Sequence, residues 1–418
     1  MSRAPASEPN ALLARAPWLQ AAETQAVFVA LAAAGHDARV VGGAVRNTLL
    51  GRPVFDIDIA TPAPPDDVMR VAAAAGLAVA PTGLRHGTVT VVANGRPFEV
   101  TTLRRDVETD GRHATVAFTN DWVADASRRD FTINALYCDR DGRLFDPLGG
   151  LGDLAARRVR FIGDPIARIG EDYLRILRFC RFSAEYAVAA PDAVGLAACV
   201  AERASLDGLS AERIRAELLK LLLAPRADAV LATMFEHGLL ASVLGRVPRL
   251  SLFARIVALE GATGTSPDAM RRLGALAVHT AEDQSALAQR LRLSGDEARG
   301  LRQSIAGALP IGPAVGEPAL RAVLYRVGAA AFRTGALVAW ARAAALIDDR
   351  GWLRVATFPD RQPVPVLPVS GRDILACGVP PGPRVGELLR AAEDWWIGHD
   401  FPDRTQLDAY VAELVARS

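Results

Sequence analysis

The chain has 418 residues, half of them apolar, and a formal net charge of +1. That length predicts two or more domains with sizeable cores, and the near-zero charge excludes a protein coated all over in basic side chains for nucleic-acid binding, though not a local patch. Four cysteines without CxxC spacing support neither a disulfide framework nor a zinc site; with no signal-peptide core and no uninterrupted apolar run of about eighteen residues, the expectation is a cytoplasmic protein that does not use a membrane.

Apolar alternation and β-branched runs predict strands at 38–41, 55–60, 88–92, 98–103 and 135–138, with helices between them at 24–34, 44–50 and 65–75. This reads as a small mixed α/β domain. From about residue 151 the pattern changes to amphipathic segments of helical period, such as 170–184 and 210–223, and the remainder is expected to be all helical. Ser210 reads as an N-cap. Alanine-rich helices run to about 345, four prolines in 358–369 suggest a connector, and the chain closes on a turn and helix. Lys220 is the only lysine among 48 basic residues, which codon bias explains better than adaptation to phosphate. Individual arginines therefore have to be judged by position.

The segment VVGGAVRNTLLGRPVFDIDIAT (40–61) is the most informative. Strand side chains alternate, so Asp56 and Asp58 point one way while Ile57 and Ile59 enter the core. Two carboxylates side by side make a hard oxygen site suited to Mg²⁺. Gly42 and Gly43 let backbone N–H groups approach an anion, and Arg46 adds a forked donor for phosphate oxygens. Alone, a DxD or a GG turn is more often structural; joined in one strand–helix–strand pattern they point to metal-assisted chemistry on a nucleoside triphosphate. Glu99, on the 98–103 strand, is either a third carboxylate near the metal or an arginine's partner.

Three further segments extend the constellation. The polar stretch from Asp106 to Ala114, with Gly111 and Arg112, has no apolar anchor and reads as a mobile loop able to act as a lever or lid. In RRDFTINALY (128–137), Arg129 can hold phosphate, Asp130 can accept a ribose hydroxyl and Asn134 can orient either, against the plainer reading of a structural salt bridge. In EDYLRILRFCRF (171–182), Asp172, Arg175, Arg178 and Arg181 follow at i, i+3 spacing on one helix face. Such faces are usually surface ion pairs, but three arginines here lack neighbouring acids. A carboxylate there can accept from the exocyclic amine of cytosine or adenine while a guanidinium donates to ring acceptors; guanine and uracil have the opposite polarity.

Taken together, GGAVRN…DIDIA, DVETDGRHATV, RRDFTINALY, EDYLRILRFCRF and SAERIRAELLKLL (210–222) resemble, in order, the class II nucleotidyltransferases related to the tRNA CCA-adding enzyme and bacterial poly(A) polymerase. The likeness is strong over 40–223 and patchy beyond, with SGRDILACGVPPGPRVGELL similar to the family's C-terminal segment. It implies an α+β fold: a nucleotidyltransferase head at 22–150, a helical neck with base recognition at 151–265, and a helical body and tail at 266–418 suited to tRNA binding. By resemblance, Asp56 and Asp58 hold Mg²⁺ and are catalytic, Gly43 and Arg46 bind the triphosphate, and Arg129 with Asp130 binds the sugar–phosphate region. Asp172 and Arg175 read C or A, assisted by Arg178 and Arg181, while Asp106, Gly111 and Arg112 belong to a switching loop. The implied reaction is addition of C, C and A to tRNA 3′ ends from CTP and ATP. The alternatives are a poly(A) or A-only adding enzyme, an inactive RNA-binding scaffold, and a small-molecule nucleotidyltransferase, the last weakened by the long helical half. One departure is Asn47, where the family commonly has aspartate; an amide suffices if the residue only braces Arg46.

Overall fold

A computed structural model describes residues 7–109, 114–305 and 309–417. The chain divides between Gly245 and Arg246 into two compact units, so the segment 151–265 contributes to both.

The first unit opens with helices α1 (Ser7–Ala14), α2 (Pro17–Gln20) and α3 (Ala22–Ala33), followed by strand β1 (Arg39–Val41), α4 (Gly43–Leu49), β2 (Asp58–Thr61) and α5 (Pro65–Ala74). Strands β3 (Ala78–Gly83), β4 (Thr88–Ala93) and β5 (Arg96–Thr102) come next, then β6 (Arg104–Thr109), β7 (Ala114–Phe118), α6 (Trp122–Ser127), β8 (Tyr137–Cys138) and β9 (Leu144–Phe145). Seven strands form one sheet in the order β3-β4-β5-β2-β1-β8-β9. Only β2 and β5 run parallel, with Asp58 opposite Glu99; the other neighbours are antiparallel. Buried Val40, Ile59, Val89, Val91 and Val100 show the alternation that places polar neighbours on the other face.

Several expected boundaries move. Strand 55–60 starts only at Asp58, because its partner β1 ends at Val41, opposite Asp58, before turning away at Gly42. β3 was hidden by Pro81; it lies at the sheet edge, where a missing N–H is tolerated. The expected loop 106–114 is flanked by a separate ribbon in which β6 and β7 pair antiparallel. Asp106 lies on β6, while Gly111 and Arg112 fall outside the described residues.

Helices α7 (Gly150–Ala155), α8 (Pro165–Glu171), α9 (Arg175–Tyr186), α10 (Ala193–Ala201), α11 (Ala211–Leu223), α12 (Ala227–Glu236) and α13 (Leu239–Leu244) complete the unit. A Cβ on Gly150 would come within 2.1 Å of the Thr132 carbonyl, so glycine permits α7 to close on the RRDF segment. Phe131 joins that segment to the helices, with ring centroids 5.0 Å from Phe161 and 5.1 Å from Phe182. After β9 the described residues contain no further strand, only an isolated bridge between Phe131 and Phe161. Ser210 holds the N-cap position of α11, but its side chain makes no capping hydrogen bond.

The second unit has ten helices among the described residues, from Leu250–Thr263 to Arg404–Ala416. Glu317–Ala343 is interrupted at Gly328, which adopts φ 77° and ψ 167°. By length and composition this helix is apolar enough to cross a membrane, a feature the sequence reading did not expect. Its Leu324, Phe332, Leu337 and Trp340 are fully buried in one core of this unit. The expected connector begins with a short helix, Phe358–Arg361. A second core gathers Ile374, Leu388, Trp396 and Leu407 of the last helices.

Candidate active site

Gly42 ends β1 with φ 74° and ψ −114°, a conformation strained for any residue with a Cβ. Added there, a Cβ would also lie 3.6 Å from the Asn134 carbonyl and 4.0 Å from an Arg129 guanidinium nitrogen. The turn thus starts α4 beside the RRDF segment. At and just before the start of β2, Ile57 and Ile59 are buried while Asp56 and Asp58 are exposed, so the alternation of the strand extends two residues ahead of its first pairing. The Asp58 pKa is raised, first by desolvation and then by Glu99, with Asp56 adding to it and Arg129 opposing.

Arg129 owes its position to Asp125, which sequence reading missed. Asp125 is buried and accepts from Tyr137 Oη at 2.8 Å, from Arg129 Nη2 at 3.0 Å and from Arg128 Nε at 2.8 Å. Desolvation opposes the charge on both partners, but the arginines and Tyr137 keep Asp125 ionised with a lowered pKa, and Tyr137 with Asp125 holds Arg129 firmly protonated. Arg46 is more enclosed. Its Nε and Nη2 donate to Asn47 Oδ1, each at 3.1 Å, Nη2 donates to Tyr186 Oη at 2.7 Å, and Nη1 donates to Asn134 Oδ1. Asn47 Nδ2 in turn donates to the Pro53 carbonyl at 2.9 Å. The amide at position 47 therefore braces Arg46 and the loop leading to Asp56.

The expected face of Asp172, Arg175, Arg178 and Arg181 differs from a single helix. Asp172 is extended (φ −157°, ψ 104°) at the end of α8, and α9 begins at Arg175. The cause is local: Asp172 Oδ1 accepts from the Leu174 N–H at 3.1 Å, the short-range competition by which aspartate interrupts helices. The arginines also do not lack acids. Arg175 donates to Glu171 at 2.5 Å, Arg178 makes two bonds to Asp130 Oδ2 at 2.9 and 2.5 Å, and Arg181 donates to Glu217 at 2.5 Å. Asp172 is itself held by Arg213 of α11, at 2.9 and 2.7 Å. Arg213 and Glu217 lie four residues apart within SAERIRAE, so helical spacing alone could have placed them on one face.

These side chains converge on one cleft of about 500 Å³. Gly43, Arg46, Asp58, Arg129, Asp130, Asp172, Arg175 and Arg178 line it, joined by Arg128 and Arg213. Asp56 stands two residues from the lining Asp58, while Arg181 lies behind the wall, paired with Glu217. Six arginines and three aspartates line it, and acids behind the wall, Asp125 and Glu171, offset part of the arginine charge, so the cleft presents guanidinium donors held in place rather than a bare positive field, a setting for phosphate and base acceptors. Among the described residues no three acidic, histidine or cysteine side chains form a ready-made metal cage. The donor set still fits a hard cation that takes its remaining oxygens from nucleotide and water. Although its side chain is open to solvent, Asp58 is partly desolvated by the surrounding cleft and faces the charges of Glu99 and Asp56, and a divalent ion would relieve that cost.

A mixed-sheet head with paired carboxylates, a glycine turn and an arginine-lined cleft defines a nucleotidyltransferase. The family model for the poly A polymerase head domain matches residues 38–160, and that for the probable RNA and SrmB-binding site of polymerase A matches 195–251. The mitochondrial CCA tRNA nucleotidyltransferase 1 of Mus musculus is 34% identical over 400 residues, covering 90% of this chain and 88% of the relative. A CCA-adding enzyme of Geobacillus stearothermophilus is 40% identical over 226 residues, covering 53% and 54%. Among solved structures, the Bacillus stearothermophilus CCA-adding enzyme in complex with CTP aligns over 96% of this chain and 98% of its own, at 29% identity and a TM-score of 0.73. The chain belongs to the family of CCA-adding enzymes and poly(A) polymerases.

Proposed function

We infer that this protein adds C, C and A to the 3′ ends of tRNA from CTP and ATP, without a nucleic-acid template and with release of pyrophosphate. The observation that carries this reading is the cleft in which Asp58, Arg129, Asp172 and Arg175 meet, within a chain similar over most of its length to an enzyme named for CCA addition. Three of its four free cysteines are buried, and burial pushes the Cys138 and Cys180 thiols up to about 12, which keeps them out of thiolate chemistry.

Asp56 and Asp58 would hold Mg²⁺, which when bound supplies activation of the RNA 3′-hydroxyl and neutralisation of the leaving pyrophosphate. Arg129, kept charged by Asp125 and Tyr137 and lining the cleft, would stabilise charge developing on the phosphate oxygens. Gly43 offers backbone N–H at the start of α4, and Arg46 still has one Nη1 proton for a phosphate oxygen. Asp130 uses both carboxylate oxygens to hold Arg178 and Asn134, so it acts on the sugar region chiefly by fixing those two side chains. At the base-reading end, Asp172 has three of about four acceptor sites filled, by Leu174 N–H and twice by Arg213. The site left on Oδ2 can accept one exocyclic amine proton of C or A while Arg175 donates to the adjoining ring acceptor. The segment around Asp106, Gly111 and Arg112 is assigned the C-to-A switch.

The test is extension of a tRNA ending at its discriminator base with labelled CTP, ATP or both. Growth by two nucleotides with CTP and by three with both supports CCA addition. Extension by ATP alone transfers the assignment to A-adding activity, and binding without extension to an inactive scaffold.

A further inference from the structure

A second basic depression lies in the first unit, outside the cleft just described. About 600 Å³ in volume, it is lined by Arg15, Trp18, Thr48, Arg52, Val54 and Arg96, among others, and no carboxylate is in its wall. Arg52 is neutralised by Glu185 at 2.5 Å. Arg15 and Arg96 have no acidic partner among the described residues, and Arg15 is exposed. The walls are built rather than incidental: Trp18 Nε1 donates to Thr48 Oγ1 at 2.7 Å, tying α2 to α4, and Thr48 follows Arg46 and Asn47 of the catalytic cleft on the same short helix.

The groove also leads to the reacting end. Val54 lines it and Asp56 is two residues on, a separation of at most about 7 Å along the backbone. Between them stands Phe55, 80% exposed. Phe55 has the same parity as the buried Ile57 and Ile59, yet three residues ahead of β2 it no longer follows them inward, and the ring is left in solvent next to Asp56 in the chain. A free aromatic face followed by two guanidiniums without acidic partners, that of Arg96 resting 5.8 Å over the Phe98 ring, matches the chemistry of single-stranded RNA: a base to stack and phosphates spaced along a strand.

We propose that Phe55 and the Arg15–Arg96 groove form a subsite for the RNA strand just upstream of the reacting 3′-hydroxyl, the ring stacking on a base and the arginines holding backbone phosphates. This rests on the reading of the protein as an RNA-extending enzyme, and its test separates the two. RNA binding is measured without nucleotide, by anisotropy of a labelled minihelix carrying a single-stranded 3′ end, for wild type, R15Q/R96Q, F55A and F55W. Losing two phosphate contacts to a single strand lowers the salt slope of log K by about 1.4, so the affinity ratio of wild type to R15Q/R96Q is roughly sevenfold larger at 50 mM than at 200 mM salt. F55A weakens binding by about 5- to 150-fold, and F55W restores it. A blunt minihelix without the 3′ single strand shows none of these differences. In extension assays the RNA KM rises while kcat and the KM for CTP hold. Salt-independent or unchanged binding in R15Q/R96Q, equal effects on the blunt minihelix, or failure of F55W to rescue F55A overturns the subsite. Absence of extension by wild-type protein that still binds RNA through this groove overturns the enzymatic reading instead.

Discussion

Replacing Glu217 by leucine removes the acid that sequence inspection of the arginine face does not supply. The Glu217 side chain is 7% exposed, with Oε2 at 2.5 Å from Arg181 Nε and Oε1 at 3.7 Å from Arg178 Nη1. Breaking a fully buried pair costs about 3–5 kcal/mol because a charge is stranded. Two features reduce that figure here. Arg178 keeps both bonds to Asp130, and the arginines retain 31% and 15% exposure, so water screens part of the loss. The expected cost is about 2 kcal/mol, and at 2–4 °C per kcal/mol for a unit of this size the melting temperature falls by roughly 4–8 °C. Glu217→Gln, which still accepts from Arg181, should lose about half as much. Thermal melts of both variants, with a double-mutant cycle against Arg181→Gln, test the assignment. Melting of E217L within 1 °C of wild type, or a cycle with no coupling, on the order of 0.3 kcal/mol or less, would refute the view that Glu217 anchors the arginine face.

Two further outcomes follow from the site. Asp58 has a pKa raised by desolvation, Glu99 and Asp56, so without metal its ionised form opposes folding. The stability it lends is fully present below the ordinary carboxylate value and is lost as pH rises through the raised folded value. D58N should therefore melt at or above wild type at pH 7 without Mg²⁺, lose the Mg²⁺-induced gain, and reduce nucleotide incorporation by about a hundred- to a thousandfold; a metal response kept by D58N counts against its role. Asn47→Asp puts a charge on the bonds to Arg46 but ends the donor bond to Pro53, so kcat should stay within about fivefold of wild type, roughly 1 kcal/mol, as single-turnover CTP incorporation would reveal.

Local periodicity determined much of this protein by itself. The two-residue alternation of Asp56 to Ile59 put Asp56 and Asp58 on one side before any neighbour was known, and the glycine pair marked a turn whose Gly42 takes a conformation that only glycine adopts without strain. The change from strand to helical period near residue 151 likewise separated the sheet from the helices, because each pattern is written in consecutive side chains. Tertiary structure alone decided which charges meet. Arg178 finds Asp130 across 48 residues, Arg213 finds Asp172 across 41, and Arg181 finds Glu217 across 36, distances over which sequence carries no geometric signal. The break at Asp172 and the late start of β2 were equally hidden, since one turns on a side chain bonding back to its own backbone and the other on where β1 leaves the sheet. Spacing along the chain fixed which residue types face together within an element; the packing of α9 against α11 and against the RRDF segment turned an apparent excess of positive charge into an ordered, mostly neutralised wall with only a few groups still open to a substrate.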